Sequence, residues 1–260
     1  MHKRAARPRF GYGFDVFAEE RRKAILAILA AESRVEVSAL AARFKVSEDS
    51  IRRDLRALAS TGFFQKTHGG AVALNVASLD WHARARVLTE AKEKIGKAAA
   101  ALVAPHETLI LDAGLTVLAL AQQVTVRPLT VITNSLDVAA HLASDAAVSL
   151  IVTGGQWDSV ARYLSGEQAL KTLSSHRADW VFLGTCALDE KAGMTVQHAP
   201  DATMKRAMLT AGSRVVLLAD HSKVGGLAPH FVGSLDSVYA VVTDKRTKWL
   251  ASAGPKLIVA

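Results

Sequence analysis

The chain has 260 residues, half of them apolar and 22% charged, with one cysteine and a formal net charge of +8. This length fits one large domain or two ordinary ones, and the composition argues against global disorder. The lone Cys186 excludes a disulfide framework and a four-cysteine zinc site and fits a reducing compartment. Apolar runs such as Ala24–Ala31 and Ala98–Ala104 fall far short of the roughly 18 residues of a bilayer span. The basic opening residues have no apolar stretch of signal-peptide length. A cytoplasmic protein without a membrane partner is therefore expected.

The charge is uneven. Residues 1–76 hold 14 Lys and Arg against 8 Asp and Glu, whereas residues 77–260 hold 18 against 16. A basic first third points to a polyanion such as nucleic acid, or to a basic face that only keeps the chain soluble.

Residues 1–16, with Lys3, Arg4, Arg7 and Arg9 among Pro and Gly, read as a flexible basic arm. From Phe17 to Glu32, Ile25, Leu26, Ile28 and Leu29 form an apolar stripe behind Glu19, Glu20, Arg21 and Arg22, which predicts a helix. Ser38 is expected to cap a second, short helix carrying Leu40 and Phe44, and Lys45-Val46 to turn the chain. Ser47 is the next predicted N-cap. Ile51, Leu55 and Leu58 then mark one buried stripe, with Gly62 as the stop. The segments FFQKT and AVAL flank a Gly-Gly turn and read as a hairpin.

Three helices and a hairpin with a tight turn between the second and third outline a winged helix-turn-helix over residues 17–74. The outer face of the third helix carries Ser50, Arg52, Arg53 and Arg56. Arginine suits either a guanine edge or a phosphate. The competing reading is a solvated basic face with local pairs such as Asp49–Arg53. With Ser47, Lys66 and His68 on the cap and wing, this face is the candidate DNA contact.

Residues 75–92 read as a linker leading into a helix at 89–103, with Trp81 a packing anchor. From residue 107 the pattern changes. Strand-like runs at 108–112, 129–134, 148–155, 180–185, 214–220, 239–244 and 256–260 alternate with helical stretches at 116–124, 137–144, 166–175 and 201–211. This alternation predicts a mainly parallel α/β sheet with helices on both faces, spanning residues 93–260.

Ligands bind such sheets beyond the carboxyl ends of the strands. The loops there hold Asp112, Gly114 and Thr116; Thr133 and Asn134; Gly154 and Gly155; Asp189; and Asp220 with Lys223, while Lys205 sits on a helix. Carboxylates accept from sugar hydroxyls, and lysines and glycine-rich turns suit a phosphate, so a small phosphorylated polyol is the expected tenant. Each loop also has a structural role open to it: Asp112 and Asn134 could cap helices, and Gly154-Gly155 could simply turn the chain. GxxxxGK[ST], a well-placed GxGxxG, GxSxG and HExxH are all missing, so no cofactor or metal is expected.

Residues 21–72, with S-x-x-S-I-R-R-D-L from Ser47 to Leu55 and the H-G-G of His68–Gly70, closely resemble the DNA-binding domain of the DeoR family of bacterial transcriptional regulators. The resemblance continues through D-x-G-x-T, T-N-S, T-G-G, Ser165-Gly166, Gly184, Gly193-Met194-Thr195, D-H-S-K and V-V-T-D, and covers roughly residues 17–245. It implies an effector domain similar to sugar-phosphate isomerases. It also implies repression of a carbohydrate or polyol operon by a homo-oligomer on double-stranded operator DNA, relieved by a phosphorylated sugar or related metabolite. By position, the effector contacts would be Asp112, Gly114, Thr116, Thr133, Asn134, Gly154, Gly155, Asp189, Lys205, Asp220 and Lys223. Three departures bear on the ligand: Leu115 stands where a hydroxyl residue is common, Ala187 where a glycine is common, and Asp201 where glutamate is usual. The rival expectation is a sugar-phosphate isomerase-like enzyme using Asp112, Asp189, Asp220 and Lys205 as acid/base groups.

Overall fold

The computed structural model describes residues 18–32, 34–58, 64–67, 69–73, 81 and 85–260. The chain forms two compact units, Met1–Leu74 and Asn75–Ala260.

In the first unit, α1 (Ala18–Glu32), α2 (Val37–Phe44) and α3 (Glu48–Leu58) bury Ile25, Leu29, Leu40, Ile51, Leu55 and Leu58 in one core. The α2–α3 turn works through Lys45, whose left-handed backbone (φ 55°) closes α2. Ser47 caps α3 as expected, its Oγ accepting from Ser50 N at 3.2 Å. Ser38 does not cap α2. That helix begins at Val37, with Glu36 in the cap position and no side-chain cap bond. The reason is a short strand that the sequence pattern did not reveal. Strand β1 (Arg34–Glu36) runs straight into α2 and pairs antiparallel with β3 (Gly70–Ala73), which in turn pairs with β2 (Phe64–Thr67). Gly70 is required here, since a Cβ would sit 1.9 Å from Val35 O. Gly62 and the arm at 1–16 lie outside the described residues.

The second unit is built on a seven-stranded sheet, all parallel, in the order β15-β14-β12-β9-β4-β5-β6. These strands are β4 (Thr108–Leu111), β5 (Leu129–Thr133), β6 (Val148–Val152), β9 (Ala178–Gly184), β12 (Gly212–Leu218), β14 (Ala240–Thr243) and β15 (Lys256–Val259). Alternate residues face opposite sides. Ile110, Ile132, Val181, Leu183 and Leu217 pack with α7 (Glu167–Ser174) and α8 (Ala199–Ala211). Leu109, Leu111, Val131, Phe182 and Val216 pack with α4 (Thr89–Ala100), α5 (Leu115–Gln123) and α6 (Leu136–Leu142). Helices thus cover both faces, as the near-continuous apolar strands required.

Two antiparallel additions were not foreseen. The hairpin of β7 (Gln156–Asp158) and β8 (Tyr163–Ser165) follows β6, and β10 (Ala187–Asp189), β11 (Gly193–Val196) and β13 (His230–Gly233) form a small separate sheet. The expected strand at 148–155 accordingly stops at Val152, and Thr153–Gly155 turn the chain toward β7. Gly155 has φ 100°, and a Cβ there would lie 2.3 Å from Ser165 O, so the turn closes only around glycine.

Candidate functional site

From β4 the chain adds β5 and β6 on one side. It then crosses back to place β9, followed by β12, β14 and β15, on the other. The reversal falls between β4 and β9, which is where an open parallel sheet forms its crevice. Asp112 stands immediately after β4 and Gly184 ends β9. The Gly184 N–H donates to Asp112 Oδ2 at 3.0 Å across the gap. The same oxygen accepts from the Lys205 ammonium, brought in by α8.

One helical turn before Lys205, Asp201 places Oδ1 3.3 Å from the same ammonium. Burial opposes the charge on Lys205, but Asp112 and Asp201 outweigh it and raise its pKa well above the usual lysine value. Burial raises the Asp201 carboxyl, against the pull of Lys205. Burial and the charges of Asp201 and Asp158 push the nearby Tyr163 phenol up to about 12.

Asp112 is fully buried, yet its second oxygen, Oδ1, has no hydrogen-bond partner. Asn134, one residue past β5, repeats the pattern. Its Nδ2 donates to Leu164 O at 3.5 Å, its backbone carbonyl accepts from Leu164 N at 2.7 Å, and its Oδ1 has no partner. An unsatisfied buried acceptor costs about 1–3 kcal/mol, so two together mark a place where the fold has not been optimised for itself.

The remaining expected residues divide by what occupies them. The Thr133 hydroxyl donates to Leu111 O at 2.7 Å and accepts from Ser135 N at 3.0 Å, locking β4 to the turn after β5. Gly114 (φ 142°) opens α5 without a side-chain cap and has open space where a Cβ would be. Thr116 lies in the first turn of that helix, and Gly154 (φ 71°) begins the turn into β7. Asp189 closes the β10–β11 hairpin. Its Oδ1 accepts from Lys191 N (2.9 Å) and Ala192 N (2.8 Å), which holds the carboxyl below the usual range. Asp220 Oδ1 accepts from Ser222 N at 3.0 Å and from the Ser222 hydroxyl. Lys223 uses its backbone, accepting from Leu188 N at 2.8 Å, to tie that loop to β10.

Around Lys205 the structure adds Asp201, which the sequence marked only as a departure, and Tyr163. Elsewhere at the strand ends, Asp244 accepts from the His221 N–H at 2.7 Å and pairs with its ring Nδ1 at 2.5 Å. The i,i+4 spacing of Asp201 and Lys205 was visible in the sequence. Tyr163 carried no signal, because it reaches the site through the unforeseen hairpin.

In the first unit, Arg53 and Arg56 are exposed on α3 and pair with no other described residue. Arg52 is exposed too, but its Nη2 holds Glu48 Oε2 at 2.7 Å, a local pair of the kind the solvated-face reading named, at Glu48–Arg52 rather than Asp49–Arg53. Asp54, on the inner face of α3, is 2% exposed and accepts from Arg21 Nε (2.6 Å) and Arg22 Nε (2.9 Å) of α1. Ser47 and Ser50 share a 3.0 Å hydrogen bond at the start of the helix. Lys66 lies on β2, its side chain outside the described set, and His68 is outside the described residues.

Residues 21–76 match the DeoR-like helix-turn-helix domain, and residues 88–245 match the DeoR C terminal sensor domain. The chain belongs to the DeoR family. HTH-type transcriptional repressor GlcR of Bacillus subtilis is 32% identical, covering 88% of this chain and 90% of that protein. The glycerol-3-phosphate regulon repressor of Escherichia coli is 33% identical, covering 86% and 90%. Among solved structures, eIF2B delta from Chaetomium thermophilum aligns with a TM-score of 0.50 at 14% identity, over 86% of this chain and 70% of that one, a likeness of fold alone.

This DeoR-family chain is thus a DNA-binding transcriptional regulator with a small-molecule sensor domain. The isomerase-like alternative is not favoured. The relatives are repressors, and Lys205, its pKa raised by two carboxylates, is unsuited to take up a proton near neutral pH. Among the described residues, no helix is long and apolar enough to cross a membrane, and no group of His, Cys, Asp and Glu could hold a metal.

Proposed function

We propose that this regulator represses a carbohydrate or polyol operon in the cytoplasm and leaves its operator when a phosphorylated sugar or related metabolite enters the crevice between β4 and β9. Arg53 and Arg56, with Ser47, Ser50, Arg52, Lys66 and His68 around them, meet the operator. One recognition helix per subunit gives modest affinity, and a homo-oligomer on repeated half-sites adds avidity.

The observation that carries the effector reading is the buried, partnerless Oδ1 of Asp112 at the reversal of strand order, where a ligand donor completes its hydrogen bonding. Asn134 and Lys205 flank it; Gly114, Thr116, Gly154 and Gly155 offer backbone donors along the same edge, and Thr133, Asp189, Asp220 and Lys223 shape its loops. To move operator occupancy, the ligand must favour one of two states by about 1–3 kcal/mol, equivalent to about 5–150-fold in affinity.

The test is a fluorescence-anisotropy titration of the full chain on duplex DNA from its own upstream region, with a scrambled duplex beside it. Preference for the native duplex, weakened within that range by a sugar phosphate, is the expected result. Equal affinity for both duplexes, or indifference to every metabolite tried, overturns the proposal.

A further inference from the structure

Resting on the reading of this chain as an oligomeric repressor, we propose that Arg162 is the positioning residue that fixes the linker to the sensor domain, and that operator affinity depends on its grip on Trp81. The chain passes from the first unit to the second at Leu74–Asn75, and Trp81 lies just beyond that boundary. The Arg162 guanidinium lies over the Trp81 ring, 5.1 Å from its centroid, and over the Trp157 ring at 5.5 Å. Both distances fall within the roughly 6 Å at which an indole face attracts a cation. Asp137, in the first turn of α6, orients the same guanidinium: Nε donates to Oδ2 at 2.9 Å and Nη2 to Oδ1 at 2.5 Å. Such a two-bond fork sets the plane of the guanidinium, which the point charge of a lysine does not. Trp81 comes from the linker, Trp157 from β7, Asp137 from α6 and Arg162 from the turn into β8, so one side chain joins all of these segments.

The local backbone indicates that this position serves the side chain and not the turn. Arg162 ends the connection from β7 to β8 with φ 61°, a left-handed conformation that glycine or asparagine adopts at less steric cost. Asp158 already holds that turn. Its Oδ1 accepts from Val160 N (2.9 Å) and Ala161 N (2.8 Å), and its carbonyl accepts from Arg162 N at 2.7 Å, a bond any residue but proline could make. What the arginine adds is its hold on Trp81, Trp157 and Asp137. The hairpin is itself tied to the strand-end edge, because Leu164 exchanges hydrogen bonds with Asn134. Beyond Trp81 the chain is fastened to α4: the Thr89 hydroxyl donates to Ala85 O at 3.1 Å, and the buried Lys92 ammonium donates to Val87 O. Residues 85–88 are thus fixed to the sensor by their own bonds, and the Arg162 grip on Trp81 is where a movement of the hairpin reaches the linker. With the grip closed, every linker leaves its sensor in one direction, and the recognition helices of an oligomer meet repeated half-sites in register. With it open, each helix still reads its own half-site, but the register is lost.

The experiment is anisotropy titration of the full chain on its upstream duplex and on the same duplex cut down to one protected half-site, for the unaltered protein, Trp81→Leu, Trp81→Phe, Arg162→Gln and the Trp81→Leu/Arg162→Gln pair. Trp81→Leu and Arg162→Gln should each lose about 10-fold on the full duplex as avidity falls, and bind the single half-site as the unaltered chain does. The pair together should lose little more than either alone, because the two residues form one contact. Trp81→Phe keeps an aromatic face for the cation and should recover most of the loss. A merely structural role would lower the melting temperature of the sensor and leave the folded protein's affinity unmoved. If Arg162→Gln does not fold, the two Trp81 variants decide the matter. Full-duplex affinity unchanged in Trp81→Leu, an equal loss on the single half-site, or losses that simply add in the pair each overturn this inference and leave the proposed function standing. An unaltered chain that does not distinguish its upstream duplex from a scrambled one overturns both.

Discussion

Two buried aspartates, one in each unit, have opposite fates. Asp54 is 2% exposed and has both oxygens filled, one by Arg21 and one by Arg22. Asp112 is 0% exposed and has one oxygen crowded by donors and the other bare. A carboxylate satisfied on both sides by its own chain serves the fold, here tying α1 to the back of the arginine-bearing helix. One left half-satisfied at a strand-order reversal is the group on which the proposed effector reading rests. The sharpest way to break this comparison is Asp54→Leu. It removes the buried carboxylate that both arginines hold, one of them only 12% exposed, and breaking a buried ion pair by removing one partner costs up to about 3–5 kcal/mol. A small unit has little stability to spare. Scanning calorimetry should show the first unit's transition lost while that of the sensor persists, together with loss of operator binding. An unchanged first transition would mean that the arginine clamp is dispensable.

A second prediction sharpens the electrostatic side of the contrast. Around Asp54 two cations meet one anion. Around Asp112 two carboxylates meet one cation. Near Asp201, burial first and then the charges of Asp201 and Asp158 push the Tyr163 phenol up to about 12. In the unfolded chain a tyrosine titrates near 10. Between about pH 10 and 12 the unfolded state sheds this proton and the folded state keeps it, so stability falls as pH rises through that window. Two units correspond to about 2–3 kcal/mol. Denaturant midpoints measured across the window should fall more steeply for the unaltered chain than for Tyr163→Phe. Parallel curves would show that burial and the neighbouring carboxylates do not hold the Tyr163 proton in the folded chain.

What the sequence disclosed follows the range of the interactions. The Ile51, Leu55 and Leu58 stripe and the Ser47 cap are contacts within one or two helical turns, and periodicity exposes them. The parallel sheet was legible because strands buried on both faces are apolar throughout. Strand β1 was not, because three residues carry no period and its partner Val72 lies 38 positions beyond Arg34; the cap was consequently placed on Ser38. Asp54 was passed over because its partners sit 32 and 33 residues away. At the crevice, residue types pointed to loops at the strand ends, but composition cannot show that Lys205 is already spent on a carboxylate 93 residues distant.

The smallest expected effect separates neighbours on α3. Arg52 and Arg53 are adjacent and both exposed, and the sequence treats them alike. The structure does not, because Glu48 holds Arg52 at 2.7 Å and Arg53 has no partner among the described residues. Such an exposed pair is worth at most about 1 kcal/mol, yet a guanidinium must surrender it before reaching DNA. Arg53→Ala should therefore cost about 1–3 kcal/mol in operator affinity if the residue reads a base, and Arg52→Ala less. Glu48→Gln should recover part of the difference by freeing Arg52 and removing an anion that faces phosphates. Titrations at several salt concentrations tell the contacts apart. A phosphate contact lowers affinity for every duplex and makes the salt dependence shallower, whereas a base contact flattens the preference for one base pair. Equal losses for Arg52→Ala and Arg53→Ala would mean that the Glu48 pair opens at no cost on the operator, and that free and tied arginines on this helix are interchangeable.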